Sequence, residues 1–480
     1  MNNHFSTSLL NTCLQEFLSD LDSGVFMNEA GEILAMRYEN LPDVGTYGPM
    51  VKTVARYFQP KEGDFVLMND PYSGGTLLFS MGLVTAIQMG QQTFYFASRI
   101  RLKPELVFAK RIEEEGVRIP PTPLVSQGKI NTEVLDAIGA NPLAPPQFRE
   151  RILEHIQVMQ SRVQQFHTVF KVHEKLFSPA NQKNLLAVTR QKVLDKMAEL
   201  PRGEAKYEAK LHSGEILRLK AEITSEKFIC DFQGTSSAQG THITDMIVYG
   251  ACVACLLAFL GSEIPLNEGV YSVIDVSTPQ GSFISAKYPA PLTRGIIEGL
   301  PHVATGILTT LSEIIPRQAI AHNSFIIPTL TLDFKTQAFI DVMSGGTGAT
   351  ISSHGIAGMH FWQRSSREMS VEMIETSYPL LILQNGIREG SGGKGQYSGG
   401  DGIVREFEVL ASCEARWVIG SKQYHPKGAK NGGAGQPADL LIHRKDGTTE
   451  IPKDGTGIAH LEPHDHITIM SSGGGGYGKP

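Results

Sequence analysis

The chain has 480 residues, a formal net charge of −6, and 41% hydrophobic and 19% charged residues. That length exceeds what one compact core holds, so several lobes are expected. The acidic balance, with no basic patch interleaved with aromatics, leaves no electrostatic case for nucleic acid or an anionic membrane surface.

The N-terminal stretch "MNNHFSTSLLNTCLQEF" has no positive leader and no continuous apolar core, so no secretory signal is expected. Ser6 or Thr7 suits a cap, and Leu9, Leu10, Cys13, Leu14, Phe17, Leu18 and Leu21 follow at helical spacing, which predicts a helix over 6–21. "VFMNEAGEILAM" reads as a hairpin with its turn at Glu29-Ala30-Gly31. "DFVLMND" and "TFYFAS" are short strands flanking the loop "NDPYSGGTLLFS", residues 69–80. Asn69-Asp70-Pro71 is turn chemistry and Gly74-Gly75 permits close backbone approach, yet the loop runs on in Leu77, Leu78 and Phe79. "FRERILEHIQVMQSRVQQFHTVFKVHEKL" predicts one long amphipathic helix, with a second near 181–200. Three strands around 205–232 end at "DFQGTSSAQG", followed by an apolar helix over 246–261, better suited to burial than to a bilayer. "PLNEGVYSVIDVSTPQGSF" reads as a loop, a strand and a glycine turn, and another helix is expected over 299–313. The last 100 residues hold 21 of the 49 glycines, separated by alternating runs such as "IVREFEVL" and "ARWVIG". They predict a β-rich lobe with glycine-dependent turns. The fold class is α+β and multi-lobed: an N-terminal lobe 1–144, a helical segment 145–200, a central α+β lobe 201–375 and the Gly-rich β lobe 376–480.

Residue chemistry alone nominates no nucleophile with its base. Cys252 and Cys255 form a CxxC without a second pair, which reads as buried reduced thiols and suggests a reducing cytosol. No glycine block matches a phosphate-binding motif, so tight turns are the simpler account. His460, His464 and His466, with Glu462, have even spacing, and imidazole suits Zn, Ni or Fe, but Pro463 and His464-Asp465 read as a solvated turn. In "GTHITDM", Asp245 is placed to cap the 246–261 helix, and His242 is a candidate base that Asp245 would orient.

Taken together, the blocks resemble the hydantoinase B/oxoprolinase family along nearly the whole chain. "NDPYSGGT" resembles its NDPY-x-GGTH loop, "EEGVRIPP" its E-G-x-R-I-P-P segment and "DFQGTSSAQ" its D-F-x-G-T-S strand end. "PLNEGVYSVIDVSTPQGS", "VEMIETSYPLLI", "GSGGKGQYSGGDGIVREF" and "GGGGYGKP" resemble further family blocks, in the family's order. The resemblance implies a subunit of a hydrolase complex, paired with a hydantoinase A-like ATP-binding subunit. Such complexes open cyclic amides such as hydantoins, 5-oxoproline or lactams at the expense of ATP, and ketone carboxylase large subunits are relatives. ATP and Mg would then belong to the partner, and the B-type subunit would carry a metal site.

Here the resemblance breaks down at the metal. The family's His after GGT matches Leu77, and its Asp three residues later matches Ser80. A later His falls in "ASRIRLKPEL", against Arg101, Leu102 and Pro104, and an early Asp falls at Leu21, with Asp22 one residue off. Gly390 and Ser398 replace a family Asp and Arg. Two leucines, a serine and an arginine offer almost no donors to a divalent ion. The leading expectation is a degenerate B-type subunit in the cytoplasm, with no cofactor or metal of its own and with an intact second B-type subunit as a possible source of metal. The alternatives are a metal-independent active subunit, in which Arg99 or Arg101 holds a phosphate or carboxylate, and a non-catalytic scaffold. Asp70, Thr76, His242 and Asp245 complete the catalytic candidates.

Overall fold

The structure is a computed structural model and describes residues 2–102, 109–360 and 369–480. The chain forms two compact units whose segments interleave: 1–203, 222–231 and 242–293 make the first, and 204–221, 232–241 and 294–480 the second.

In the first unit, helix α1 (Asn2–Leu18) leads into the expected hairpin of β1 (Gly24–Asn28) and β2 (Ile33–Arg37), turning at Gly31 with φ +79°. Helix α2 (Leu41–Phe58) then precedes β3 (Phe65–Met68), β4 (Ser80–Met89) and β5 (Gln92–Arg101). The strand that leaves the loop is thus β4, and "TFYFAS" lies one strand later, in β5. With β6 (Thr122–Ser126) and β7 (Lys129–Ile130) they form a seven-stranded antiparallel sheet, ordered β2-β1-β5-β4-β3-β6-β7. Helices α3 (Thr132–Gly139), α4 (Phe148–Phe170) and α5 (Pro179–Ala198) follow, α4 ending in a 3₁₀ segment to Phe177.

Both faces of this sheet are covered. Strand alternation sends Phe94 and Phe96 of β5 into a core with Phe17 of α1 and Phe166 of α4. Phe17 meets Phe96 edge-on at 4.9 Å, and Phe26 stacks on Phe166 at 5.3 Å. The intervening Arg99 and Arg101 face α2. Behind α2 lies α6 (Asp245–Leu260), the expected buried helix, with Cys252 and Cys255 fully buried and all five cysteines free. A short helix α7 (Glu268–Tyr271) interrupts the expected loop before β11 (Ile274–Ser277), which pairs in parallel with β10 (Phe228–Asp231). No described helix is long and apolar enough to cross a membrane.

The second unit holds most of β8 (Gly203–Lys210) and β9 (Ile216–Ile223), helix α8 (Leu300–Ile314) and two antiparallel sheets. One sheet orders β12 (Thr329–Asp333), β13 (Ala338–Val342), β16 (Cys413–Val418) and β19 (Thr456–Leu461) as β13-β12-β16-β19. The other is built from β14 (Leu380–Arg388), β15 (Gly402–Val409), β17 (Asp439–His443), β18 (Thr449–Glu450) and β20 (His466–Met470), with helix α9 (Val371–Ser377) before it. Leu330, Phe339 and Trp417 of the first sheet share a core with Phe407, Leu440 and Ile467 of the second.

The glycine blocks of this unit correct the expectation of tight turns. Over residues 381–480, positive φ is confined to Gly390, Gly420, Gly447 and Gly478 among the glycines. Most of the others pack backbone on backbone: Gly393 N donates to Gly474 O (2.8 Å), Gly474 N to Gly400 O (2.8 Å) and Gly476 N to Gly433 O (2.9 Å). A Cβ on Gly474 would stand 2.0 Å from the Thr347 carbonyl oxygen, so a side chain has no space.

The same constraint holds between α2 and α6, where a Cβ on Gly45 would lie 1.7 Å from the Met246 carbonyl oxygen. Gly45→Ala must separate the two helices, and a loss of about 1–3 kcal/mol or more is expected in urea unfolding. An unchanged midpoint would show that the helices can part freely.

Candidate functional site beneath the loop at residues 69–80

Inward-turned side chains hold the loop after β3. Asn69 is fully buried; its amide donates to the carbonyls of Leu78 (2.5 Å) and Val117 (2.8 Å), and its carbonyl oxygen accepts from Ile119 N (2.6 Å). Asp70 accepts from Tyr72 N (3.1 Å) and Ser73 Oγ (3.1 Å), which starts the 3₁₀ turn Pro71–Ser73. These partners are local, so Asp70 shapes the loop. The Tyr72 hydroxyl donates to the Ala290 carbonyl. Glu115 accepts from Leu292 N (3.0 Å) and Thr293 N (2.7 Å). Loop 69–80, the "EEGVRIPP" segment and residues 290–293 are therefore one hydrogen-bonded knot. Burial pushes the Glu115 carboxyl up to about 7, against the two backbone donors that favour its ionised form.

Below the knot lies a buried charge cluster. The Arg99 guanidinium donates to Asp43 Oδ1 (2.8 Å), Thr46 Oγ1 (2.7 Å) and the Gly74 carbonyl (2.7 Å), and stacks 4.3 Å over the Tyr47 ring. Asp43 Oδ2 also accepts from Ser23 Oγ (3.2 Å), which is 2.8 Å from the Tyr47 hydroxyl. Gly82 lies opposite Arg99 in the β4–β5 register and leaves room for Met50 of α2. Arg99 is thus a cross-brace among helix, strand and loop, with its side chain 2% exposed. Arg101, 32% exposed, reaches Asp43 Oδ2 only at 3.7 Å. Of the two arginines, Arg101 is the one open to a ligand.

The resemblance places ligands at Leu21, Leu77, Ser80 and Arg101, and the structure joins three of these positions. Ser80 and Arg101 are register partners on β4 and β5, and Ser80 N donates to Leu77 O (2.9 Å). Leu77 and Leu78 are buried. Leu21 is buried in the α1 core and Asp22 is exposed; Leu102 is buried, and Pro104 lies outside the described residues. Thr76 Oγ1 and Ser80 Oγ are buried with no partner among the described residues. Two hydrocarbon side chains, two lone hydroxyls and a guanidinium do not fit a divalent cation.

The remaining candidates lie elsewhere. Helix α6 begins at Asp245 with Thr244 in the cap position, one residue before the expected cap at Asp245; Asp245 Oδ1 accepts from its neighbour Met246 N (2.9 Å). His242 sits before that helix, where Ile243 exchanges backbone bonds with Phe283 and Ala286. His460 is on β19, His464 in a turn with φ +72°, and His466 on β20, so the turn reading holds and the first and last lie in different sheets. Each meets a carboxylate: Glu462 (3.1 Å), Glu408 (2.7 Å) and Glu406 (3.2 Å). Among the described residues, no group of three or more His, Cys, Asp or Glu is arranged to hold a metal ion.

Sequence reasoning missed α2, and with it Asp43, Thr46 and Tyr47. Val44, Tyr47, Val51 and Val54 do recur at helical spacing, but Gly45, Gly48 and Pro49 obscure the pattern.

The family model described as hydantoinase B/oxoprolinase matches residues 6–480. An uncharacterized protein of Methanocaldococcus jannaschii is 27% identical, covering 98% of this chain and 87% of its own length. The 5-oxoprolinase of Saccharomyces cerevisiae is 27% identical over 87% of this chain, which spans only 36% of that protein. The B-type subunit of a putative D-/L-hydantoinase from Pseudomonas sp. is 22% identical, covering 87% of this chain and 76% of that protein. The crystal structure of an ATP-dependent caprolactamase from Pseudomonas jessenii superposes with a TM-score of 0.81 at 20% identity, covering 100% of this chain and 91% of that one. An acetone carboxylase chain gives 0.80 at 14% identity, covering 99% and 75%. At such identities the likeness to the solved structures shows the fold.

Two outcomes are expected from this geometry. Leu77→Ala should cost about 2–5 kcal/mol in unfolding experiments, through lost transfer energy and a cavity; a cost near zero would mean an unpacked loop. Glu115 has a folded-state pKa raised to about 7, so the fold favours its protonated form. Its contribution is fully present below the unfolded pKa of about 4.3 and is lost as pH rises to about 7. Subtracting the stability–pH curve of Glu115→Gln from that of the wild type should leave a downward slope in that window. A flat difference would refute the shift.

Proposed function

Because the chain belongs to the hydantoinase B/oxoprolinase family, we propose that it is a B-type subunit of an ATP-dependent complex that opens cyclic amides or carboxylates ketones. We propose further that it holds no metal at the family's ligand positions and works beside a hydantoinase A-like ATP-binding subunit, in the cytoplasm. The observation that supports this reading is a family match over residues 6–480 combined with altered ligand positions. The loop is kept by Asn69, Asp70 and Tyr72, while Leu77 and Leu21 put hydrocarbon where donors belong. The caprolactamase and acetone carboxylase that share the fold are named as ATP-dependent enzymes, which supports an ATP-dependent reaction for the complex. Five free cysteines fit a reducing compartment.

A second reading has its own observation. Arg99 is enclosed by internal partners, whereas Arg101 is one-third exposed and only loosely held by Asp43. Arg101 would then anchor a phosphorylated intermediate or a substrate carboxylate, and this chain would act without a metal.

Co-expression with an A-type chain, alone and with an intact B-type chain, separates the readings. The expected result is a stable complex, less than stoichiometric zinc, manganese or iron in this chain, and ATP-dependent turnover only with the intact B-type chain. Turnover without it, abolished by Arg101→Met, establishes the second reading. Failure to associate with any A-type chain overturns both. Leu77→His with Ser80→Asp should lower the melting temperature and gain no metal-dependent rise; such a rise would overturn the packed-site account.

A further inference from the structure

A separate trough of about 390 Å³ opens in the first unit, on the far side of α2 from the sheet core. Its floor is formed where Gly45 and Gly48 of α2 present no side chain. Its walls are the first turn of α6, α7 and Ile33 of β2. Tyr249 stacks on Tyr271 at 5.9 Å, and both hydroxyls donate to backbone carbonyls, Tyr249 to Tyr271 (3.0 Å) and Tyr271 to Val44 (2.6 Å). These bonds turn the polar tips into the protein and leave ring faces and aliphatic carbon along the middle.

Three charged side chains line the same trough: Lys52 on α2, Asp245 on α6 and Glu268 on α7. Glu268 Oε2 accepts from Ile33 N (3.1 Å), which fixes the carboxylate, and Asp245 Oδ1 accepts from Met246 N (2.9 Å). No ion pair is formed by any of the three among the described residues, although charges of both signs line one cavity. Apolar walls with a few convergent polar groups of opposite sign characterise a small-molecule site.

We propose that this trough binds a zwitterionic amino acid, its carboxylate at Lys52, its ammonium at Glu268 and Asp245, and its carbon chain along Tyr249. A ligand of one sign would leave the opposite group unpaired, so both charges are required. Hydrolytic opening of a lactam leaves one carboxylate and one ammonium on a carbon chain. The trough would therefore suit a product of the proposed activity, but the assignment rests on its own residues and does not require that activity.

The test is calorimetric titration of the full chain alone, with ω-amino acids of increasing length and with leucine. Hexanoate and hexylamine serve as single-charge controls. The expected result is binding of at least one zwitterion with Kd below about 10 mM, about tenfold or more tighter than either control. Lys52→Met and Glu268→Gln should each weaken it about tenfold or more without shifting the melting temperature. Glu268→Gln keeps an acceptor for Ile33 N, so the fold survives the change. Absence of zwitterion binding, equal binding of a control, or binding untouched by both variants overturns the proposal. Because no partner or ATP is present, failure here leaves the reading of the complex standing, and failure of the complex to turn over leaves this one standing.

Discussion

Burying a guanidinium without partners is prohibitive, and the first unit is arranged around avoiding that cost at Arg99. Asp43 and Thr46 of α2 and the Gly74 carbonyl of the loop converge on its two terminal nitrogens. Helix, strand and loop must all be in place before the charge is satisfied, so none of the three can shift alone. That coupling ties the shape of the loop to Arg99 through the Gly74 carbonyl.

The family motifs divide by role. Asn69, Asp70, Tyr72 and Glu115 hold backbone to backbone, and a substitution there would loosen the knot whatever chemistry the site performs. Leu77 and Ser80 are buried beside the knot, and Arg101, the register partner of Ser80, is partly exposed.

Close backbone packing is the second constraint. The α2–α6 crossing and the glycine segments of the second unit both use the space a Cβ would fill. Such contacts bring carbonyls and amides within hydrogen-bonding reach without side-chain intermediaries, which lets segments distant in sequence exchange bonds directly. Beside that crossing, the missing side chain of Gly48 leaves room in the floor of the trough.

The sequence by itself determined the α+β class, the α1 helix, the first hairpin, the buried cysteine helix, the β-rich character of the last 100 residues and the family. Each of these rests on a periodicity or an ordered set of motifs, which are local properties of the chain. It did not reveal α2, because two glycines and a proline suppress the helical pattern, and one of them, Gly45, is present for a contact with α6 some 200 residues away. It could not distinguish a glycine in a turn from one in a close contact, since both require the same missing Cβ. Nor could it rank Arg99 against Arg101, two residues apart on one face of one strand. Only the tertiary structure, which surrounds Arg99 with acceptors and leaves Arg101 partly open, decides which of them is structure and which is surface.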